Sequence, residues 1–330
     1  LMYFLYLIFL PVFYVFSNNI LLREFATGDT RPFYPRDVDH PNMLLRFELA
    51  PDQTKTIYVR VQTNGSLILP LQLKNENQFF THASQEQKFH FFFYGCLTVI
   101  ILINLAVFFS LRERLYLFYA LAISGYLLFF TSILGYSFQH IYPQSPSIHG
   151  RGLLVSMPIL AFFSILFCRE FLQIRSHSPR LDIVLRIMLT FEIFNLISAL
   201  TFDYNIAIMI SAISAFFFFS ILFVVGPISW AAGMRSGIFF TISWIPFTIG
   251  MLATAGRSLG FLPENFMTKY AMQIGSGLEA FILTLALADR LFQEREQKIR
   301  AQADSLRKEK ARHEAQTKLT EAMIYNPITH

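Results

Sequence analysis

The stretch GLEAFILTLALADRLFQEREQKIR, from Gly277 to Arg300, begins as an apolar segment and ends as a highly charged one. Neither proline nor glycine interrupts it after Gly277, so the sequence predicts one continuous helix. A helix that is apolar at one end and charged at the other is expected where a chain leaves a bilayer and enters water. This stretch therefore predicts that other parts of the chain also cross a membrane.

The composition of the chain favours a membrane protein. Of its 330 residues, 54% are hydrophobic and 15% are charged. In soluble domains about 45–50% of the residues are apolar and about 25% are charged. The net charge of +5 does not indicate nucleic-acid binding, because most lysines and arginines lie between apolar segments or after Asp289. Cys96 and Cys168 both lie in apolar runs, which argues against a disulfide framework and against a thiolate metal site.

Seven segments are long and apolar enough to cross a bilayer as helices. A hydrocarbon core of about 30 Å requires about 20 apolar residues, and connectors rich in proline, glycine and polar residues separate the segments. A soluble all-helical protein is the alternative, but seven such segments in succession argue against it. The predicted spans are residues 89–110, 115–137, 152–172, 181–202, 205–227, 237–259 and 266–288.

The basic residues of the short connectors predict the orientation of the chain. Six arginines follow the first, third and fifth spans, whereas the opposite connectors contain Arg151, Lys269 and, near a span end, Arg257. Because Lys and Arg accumulate on the cytoplasmic side, we expect the N-terminus outside and the C-terminus in the cytoplasm. The six arginines are Arg112, Arg114, Arg169, Arg175, Arg180 and Arg235.

The residues before the spans carry the pattern of a small β module. Apolar residues alternate with polar or aromatic ones in TIYVRVQ, residues 56–62, and again in SLILPLQL, residues 66–73, which is typical of half-buried strands. Asn64-Gly65 between them predicts a hairpin turn, since both residues accept a positive φ. MLLRFEL, residues 43–49, is a further predicted strand.

The first sixteen residues, LMYFLYLIFLPVFYVF, allow two interpretations. VFYVF, residues 12–16, favours a strand of the same module, whereas the residues before it fit either a strand or a signal anchor. Within TIYVRVQ, Tyr58 and Arg60 occupy the alternate positions that point away from the apolar face. We take them as candidate ligand-contacting residues of the module.

In this order, the features resemble a bacterial family, the seven-transmembrane receptors with diverse intracellular signalling modules. TGDTRPFYPRDVDHPN, residues 27–42, with the alternating strands after it, resembles the end of the family's extracytoplasmic jelly-roll sensor. FFFYGCLTVIILINLAVFFSLRERLYLFYALAI, residues 91–123, resembles its first helical hairpin, and GSGLEAFILTLALADRL, residues 275–291, its seventh helix. The resemblance covers residues 12–290 and implies a multi-pass receptor of the bacterial inner membrane.

The expected fold class is a membrane all-α seven-helix bundle, preceded by a partial β jelly-roll sensor and followed by a cytoplasmic signalling helix. We expect the front of the sensor and the output domain to lie outside this sequence. NPITH, residues 326–330, resembles the opening of a diguanylate cyclase domain, although Asn326 and Ile328 depart from that pattern. The expected divisions are a sensor at 1–80, a linker at 81–88, the membrane domain at 89–290, the signalling helix at 291–323 and the start of an output domain at 324–330.

Three ionisable residues inside the predicted spans, Arg186, Glu192 and Glu279, are candidate coupling residues, because a charge in hydrocarbon is costly and faces the bundle interior. By helical rise, Glu279 lies roughly 13 Å and Arg186 about 8 Å from the cytoplasmic face. Their side chains can therefore meet if the two helices are neighbours. The alternative is a neutral, hydrogen-bonded carboxyl and an arginine that extends to the membrane surface.

The charged helix beyond the last span is a candidate signalling helix. After Asp289 and Arg290, the apolar residues Phe292, Ile299 and Leu306 recur at seven-residue spacing. This spacing predicts one edge of a weak coiled coil and hence a homodimer. A solvated single helix is the alternative.

These patterns predict a receptor that couples an outside sensor to a cytoplasmic output, with diguanylate cyclase as the output that the resemblance implies. A secondary transporter or channel is the alternative, since it also places carboxylates within the membrane. The expected partners are the lipid bilayer, a small extracytoplasmic ligand such as a carbohydrate, and a second copy of the chain, but no nucleic acid. The sequence shows no catalytic, metal or cofactor motif, so we expect the chain itself to catalyse nothing and to need no cofactor.

Overall fold

The computed structural model describes residues 2–7, 11–17, 20–28, 31–61 and 72–325. Within these residues, strands precede residue 76 and helices follow it. The strands are β1 (Met2–Leu7), β2 (Pro11–Ser17), β3 (Ile20–Ala26), β4 (Met43–Glu48), β5 (Thr56–Val61) and β6 (Gln72–Asn75).

The described strands form two antiparallel sheets of three strands each, with the orders β4-β1-β6 and β3-β2-β5. Phe13 and Val15 of β2 pack against Met43 and Leu45 of β4 in one buried cluster. Because β2 and β4 belong to different sheets, this cluster shows that the two sheets pack face to face as a sandwich. The predicted β module is thereby confirmed.

The strand pairing differs from the hairpin that the sequence suggests. Asn64-Gly65 lies outside the described residues. In the described residues, β5 pairs with β2 and β6 pairs with β1, so the strands on the two sides of that turn belong to different sheets. Met2–Leu7 is a strand between β4 and β6, which resolves the alternative of a strand or an anchor in favour of a strand. β3 was not predicted.

Nine helices follow in the described residues, and seven of them are long and apolar enough to cross a membrane. These seven correspond to the predicted spans, whereas α3 and α5 are short helices in connectors. The helices are α1 (Glu76–Leu111), α2 (Arg114–Ile133), α3 (Tyr136–His140), α4 (Pro146–Phe171), α5 (Ile174–His177), α6 (Pro179–Thr201), α7 (Tyr204–Ala231), α8 (Arg235–Ser258) and α9 (Phe266–Tyr325).

Two predicted boundaries differ from the structure. Residues 81–88, expected as a linker, lie within α1, because the Asn75 side chain accepts the Gln78 N–H at 2.8 Å and starts the helix there. The second span was predicted to reach residue 137, but α2 ends at Ile133, before Gly135 with its φ of 77°. The predicted continuity of the last span with the charged helix is confirmed, since α9 runs without a break from Phe266 to Tyr325.

The surface of the bundle is apolar over the length of the spans. Large side chains such as Leu102, Phe216 and Ile249 are exposed there. An apolar surface of this extent is unfavourable in water and favourable in hydrocarbon. The structure therefore describes a multi-pass membrane protein.

The chain forms two compact units, residues 1–280 and 281–330. The first contains the sandwich and the helices up to the early part of α9. In the second, α9 continues, and every described side chain from Arg295 to Thr320 is exposed. Ion pairs at helical spacing, Arg290 with Glu294 and Glu296 with Arg300, support this exposed helix.

The sandwich core predicts an asymmetry between two leucine positions. Leu45 is completely buried between the sheets, whereas Leu22 of β3 is 54% exposed. We expect Leu45→Ala to lower the free energy of unfolding of the module by about 2–5 kcal/mol and Leu22→Ala to change it by less than about 1 kcal/mol. Urea-dependent proteolysis of the full chain measures both. Equal effects of the two variants would contradict the sandwich core.

Candidate signal-coupling site

A loop of the β module, residues 31–42, contacts the connector that follows α2. The Phe33 N–H donates to the Pro143 carbonyl at 2.7 Å, and the rings of Phe33 and Phe138 meet edge to face with centroids 5.5 Å apart. Phe138 in turn stacks on His149 of α4 at 4.3 Å. These contacts join the β module to the bundle through buried aromatic surface.

Polar contacts support the same joint. Gln139 of α3 donates to the Asp39 carboxylate at 2.8 Å, and the Arg36 guanidinium lies over the Phe33 ring, 3.9 Å from its centroid. Burial lowers the pKa of His40 to about 4, so its ring is neutral at neutral pH. In that form its Nδ1 accepts the N–H of Asn42 at 3.1 Å.

The β module is also continuous with the first membrane helix. β6 ends at Asn75, which is the N-cap of α1, so no flexible residue separates strand from helix. Arg46 of β4 forms an ion pair with Glu76 in the first turn of α1, at 3.4 Å. The sheet β4-β1-β6 is therefore joined to the start of α1 by continuous backbone and by this ion pair.

The first helix holds the start of the last one. Glu86 of α1 forms an ion pair with Lys269 of α9, and one turn further along, His90 and Gln273 are hydrogen-bonded at 3.1 Å. Phe89 packs against Tyr270, with ring centroids 4.3 Å apart. Since these residues lie on successive turns of both helices, the contact is a strip that runs along the helix axes.

Near the middle of its span, α9 is bonded to α2. The Tyr126 hydroxyl donates to the Glu279 carboxylate at 2.6 Å, and the Tyr119 hydroxyl donates to the Ala280 carbonyl at 2.5 Å. All of these groups are buried. A carboxyl group in hydrocarbon needs such a donor, so Tyr126 determines which way Glu279 faces.

Close backbone packing joins α8 to α9. A Cβ atom on Gly275 would lie 2.5 Å from the carbonyl oxygen of Pro246, and one on Gly250 would collide with the carbonyl oxygen of Ala271. The absence of a side chain at Gly275 therefore allows the two helices to approach closely. A Cβ atom on Gly277 would lie 3.4 Å from the side chain of Phe93, which is an ordinary van der Waals distance.

Glu192 lies in a separate polar cluster between α6 and α7. Its Oε1 accepts the Ser214 hydroxyl at 2.5 Å, and Asn195 approaches its Oε2 at 3.4 Å. Ser211 donates to the Asn195 side-chain oxygen at 2.9 Å. All four side chains are buried, so the cluster satisfies these polar groups within the bundle.

Arg186 does not meet Glu279, contrary to the contact considered from the sequence. Instead it pairs with Asp182 one turn earlier on α6, and Arg169 at the end of α4 binds the same carboxylate at 2.6 Å. Asp182 is buried while Arg186 is largely exposed. Because Asp182 supplies a partner at helical spacing, the arginine has no need of an acid on another helix.

The sensor candidates lie on the outer face of the sandwich. Tyr58 and Arg60 are exposed on β5, opposite the buried side of that strand, as their alternation predicts. Tyr58 stands directly across from Tyr14 of β2 and meets the Phe16 ring edge to face at 5.5 Å. The result is a small exposed patch of aromatic rings beside a guanidinium group.

In the second unit, the apolar positions of the signalling helix are unburied. Phe292, Ile299 and Leu306 are exposed to 70%, 66% and 58%. Asp289 accepts a hydrogen bond from Gln293 at 2.8 Å, and Arg290 bonds Glu294 at 2.8 Å. Both are contacts at helical spacing that support the helix itself.

Several residues of the coupling site have no sequence signal of their own. A tyrosine in a span, such as Tyr126, and a glutamate before one, such as Glu86, are ordinary features of membrane helices. In the sequence, Lys269 is recognisable only as a charge in a connector. Since its partner lies 183 positions away, only the packed bundle brings the two together.

The close contact between α8 and α9 predicts a difference between two glycines. We expect Gly275→Ala to destabilise the bundle by about 1–3 kcal/mol, because the added methyl group overlaps the Pro246 carbonyl. Gly95→Ala on α1 is the matched control, because nothing lies within 4 Å of its added Cβ. There we expect no loss, and a gain of up to about 1 kcal/mol. Thermal unfolding in detergent compares them, and similar melting temperatures would contradict the close approach.

Comparison with known families separates the chain into two matched segments. Residues 86–290 match the family described as 7TM diverse intracellular signalling, and residues 6–75 match the domain described as 7TMR-DISM extracellular 2. The first segment covers more than half of the chain and contains every bundle contact described above. Both segments are sensory or transmembrane domains, and neither is catalytic. No curated protein and no solved structure matches the chain.

Proposed function

Because the chain belongs to the 7TM diverse intracellular signalling family, whose members are membrane receptors with an extracellular sensor, we propose that it passes ligand binding on its β sandwich to a cytoplasmic output through α9. The observation that carries this proposal is the direct path from sheet to helix: β6 continues into α1, and α1 holds the start of α9 by the Glu86–Lys269 ion pair. Every link in the path is a rigid element or a specific contact.

The contacts on α9 support a movement of the helix as one body. The Glu86–Lys269 pair and the Tyr126–Glu279 bond hold α9 at two levels, 10 residues apart along the chain. At about 1.5 Å per residue, these levels are roughly 15 Å apart. A shift of α1 that moves Lys269 therefore tilts or slides α9 about the deeper contact, and a continuous helix carries that motion onward.

The proposed orientation puts the β module outside the inner membrane and the end of α9 in the cytoplasm. It is supported by the six arginines that lie in or next to the connectors that follow α1, α4 and α7, because basic residues accumulate on the cytoplasmic side. The connector that touches the β module, between α2 and α4, belongs to the opposite set. The contact of Phe33 with Pro143 agrees with this assignment.

The proposed ligand site is the exposed patch formed by Tyr14, Phe16, Tyr58 and Arg60. Aromatic rings beside a guanidinium suit a ligand with both a flat apolar face and polar hydroxyl groups, and a carbohydrate has both. The patch lies on β2 and β5, whose opposite faces form the core with β4. Through the sandwich core, ligand binding on β2 and β5 acts on the other sheet, β4-β1-β6, which continues into α1.

The proposed output is a diguanylate cyclase that acts as a dimer. The support is the NPITH sequence after α9, together with the exposed apolar edge at Phe292, Ile299 and Leu306, which suits pairing with a second copy. This edge has one apolar residue per heptad and is therefore weak. Such an edge suits a helix that shifts against the same helix of a second copy during signalling, rather than one that is held in a single alignment.

The ion pair between α1 and α9 provides a test of the path. We expect Glu86→Lys and Lys269→Glu, each alone, to change the basal activity of a diguanylate cyclase fused after His330 by roughly fivefold or more, because each puts like charges between the helices. The double variant restores the pair in reverse and should restore activity. Cyclic di-GMP formed per molecule of receptor is the measurement.

Glu264→Lys is the matched control for the charge change. This variant reverses the charge of a glutamate in the connector before α9. Glu264 pairs with Arg257 at 3.8 Å and takes no part in the contact between α1 and α9. Basal activity should stay within about twofold for this variant, since surface pairs are weak. A double variant that behaves like either single variant would reject the proposed path.

The continuity of α9 provides the second test. One alanine inserted after Arg295 rotates everything downstream by about 100°, whereas seven nearly restore the original face. We expect insertion of seven to preserve ligand control of the fused cyclase, insertion of one to lock its activity high or low, and insertion of four to lie between them. Activity with and without a candidate carbohydrate ligand is compared for each.

The same series separates a receptor from the transporter alternative. A transporter or a flexible tether does not depend on the rotational phase of the exposed helix. Equal activity and equal control in all three insertion variants would therefore rule out transmission through a rigid α9. Helix content measured by circular dichroism verifies that each insertion leaves the helix intact.

A further inference from the structure

A cavity of about 100 Å³ lies inside the bundle, apart from the contacts that join the β module to α9. Its surface is almost entirely apolar, and one edge is formed by the Glu192 cluster. No lysine or arginine is among the described residues that line it. The apolar walls include Phe129, Met157, Leu160, Phe218, Phe219 and Met272.

The polar edge of the cavity has an acceptor that its neighbours satisfy incompletely. Glu192 Oε1 receives a good hydrogen bond from Ser214 at 2.5 Å, but Asn195 approaches Oε2 only to 3.4 Å. That distance exceeds the usual 2.7–3.2 Å of an N–H···O bond. A carboxyl oxygen that is buried, borders a cavity and lacks a good donor is a position where a ligand O–H gains a hydrogen bond.

We propose that this cavity binds a small neutral molecule of the short-chain alcohol class, which enters from the bilayer and donates its O–H to Glu192. The apolar walls accept the hydrocarbon part of such a molecule, and the carboxyl group offers an acceptor oxygen in either protonation state. An apolar cavity of about 150 Å³ holds benzene. This smaller one suits roughly four or five non-hydrogen atoms on that scale.

The position of the cavity links the ligand to the last helix. Tyr126 of α2 and Met272 of α9 both line it, and the hydroxyl of Tyr126 is the donor that holds Glu279. An occupant therefore contacts both sides of the α2–α9 contact. The binding itself is independent of the proposed receptor mechanism, and it is tested without any measurement of signalling.

The chain contains a natural reporter for this cavity. Of its two tryptophans, Trp244 is buried beside the wall residues Phe219 and Phe247, with ring centroids 6.3 Å and 5.4 Å away, whereas Trp230 is 49% exposed. Trp230→Phe leaves Trp244 as the single tryptophan. A heavy-atom quencher in the cavity then lowers its fluorescence.

The experiment compares two quenchers of the same size and shape on the full chain with Trp230→Phe, reconstituted in lipid nanodiscs. In 1-bromobutane, a methyl group replaces the hydroxyl group of 3-bromo-1-propanol. We expect 3-bromo-1-propanol to quench Trp244 saturably, with an apparent affinity roughly tenfold or more above that of 1-bromobutane. Both affinities are referred to the measured concentration of quencher in the lipid, because the two compounds partition differently.

Two further variants locate the site. Ala161 is a buried residue of the cavity wall, so Ala161→Leu fills the space and should abolish saturable quenching. Glu192→Leu removes the acceptor and should abolish the preference for the alcohol, while Ser214 can bond to its own helix instead. Ile193→Leu is the control, because Ile193 is 49% exposed and does not line the cavity. It should leave binding unchanged.

Several results would overturn the proposal. Quenching that rises linearly with both compounds would show partition into lipid only, and equal saturable binding of both would show an apolar site without a role for Glu192. Saturable binding that only 3-bromopropylamine shows would identify a cation site instead. A thermal melt followed by Trp244 fluorescence checks that each variant is folded. If Glu192→Leu unfolds the protein, persistence of saturable binding in Ala161→Leu would still reject the cavity.

Discussion

The bundle depends on the inability of hydrocarbon to form hydrogen bonds. A polar group that faces lipid has no substitute for water, so each one inside a span must find its partner within the protein. Glu279 has Tyr126, Glu192 has Ser214, and Asp182 has Arg169 and Arg186. Each pair joins two different helices, apart from the Asp182–Arg186 contact. The same requirement that makes these residues costly therefore determines which helices are neighbours and which faces they present.

Close packing between backbones also holds the helices together. Apolar helix surfaces gain little by leaving lipid for one another, so association depends on contact between backbones and on specific bonds. Gly250 and Gly275 allow α8 and α9 to touch at backbone distance, and the carbonyl of Ala280 accepts the Tyr119 hydroxyl. α9 is thereby held from two sides within the first unit. Beyond this packed part, α9 continues without a break to Tyr325.

Within the first unit, the joint between the β module and the bundle is packed differently from the region around Glu192. At the β module, rigid continuity from β6 into α1 combines with an aromatic joint between Phe33 and Phe138. Deeper in the bundle, Glu192 and its neighbours border a cavity instead of filling it. Well-packed cores rarely leave such space beside a carboxyl group, and when they do, the space is commonly used for water or a ligand. The β module is thus joined to the bundle by close contacts, whereas the Glu192 cluster borders open space.

The sequence by itself determined the seven spans, the strands at residues 12–16, 43–49 and 56–61, and the continuous charged helix, because hydrophobic length, alternation and the absence of helix breakers are local properties. It also identified Glu192 and Glu279 as ionisable groups that face the bundle interior. It did not determine their partners, and of the two alternatives for Arg186 the contact with Glu279 is not formed. Only the tertiary structure decided that Tyr126 meets Glu279, that Lys269 meets Glu86, and that β5 and β6 belong to different sheets. These partners lie on separate elements, and each further residue turns a helix by about 100°. Which side chains face each other therefore depends on the packing of the whole bundle and of the sandwich, and no single segment contains that information.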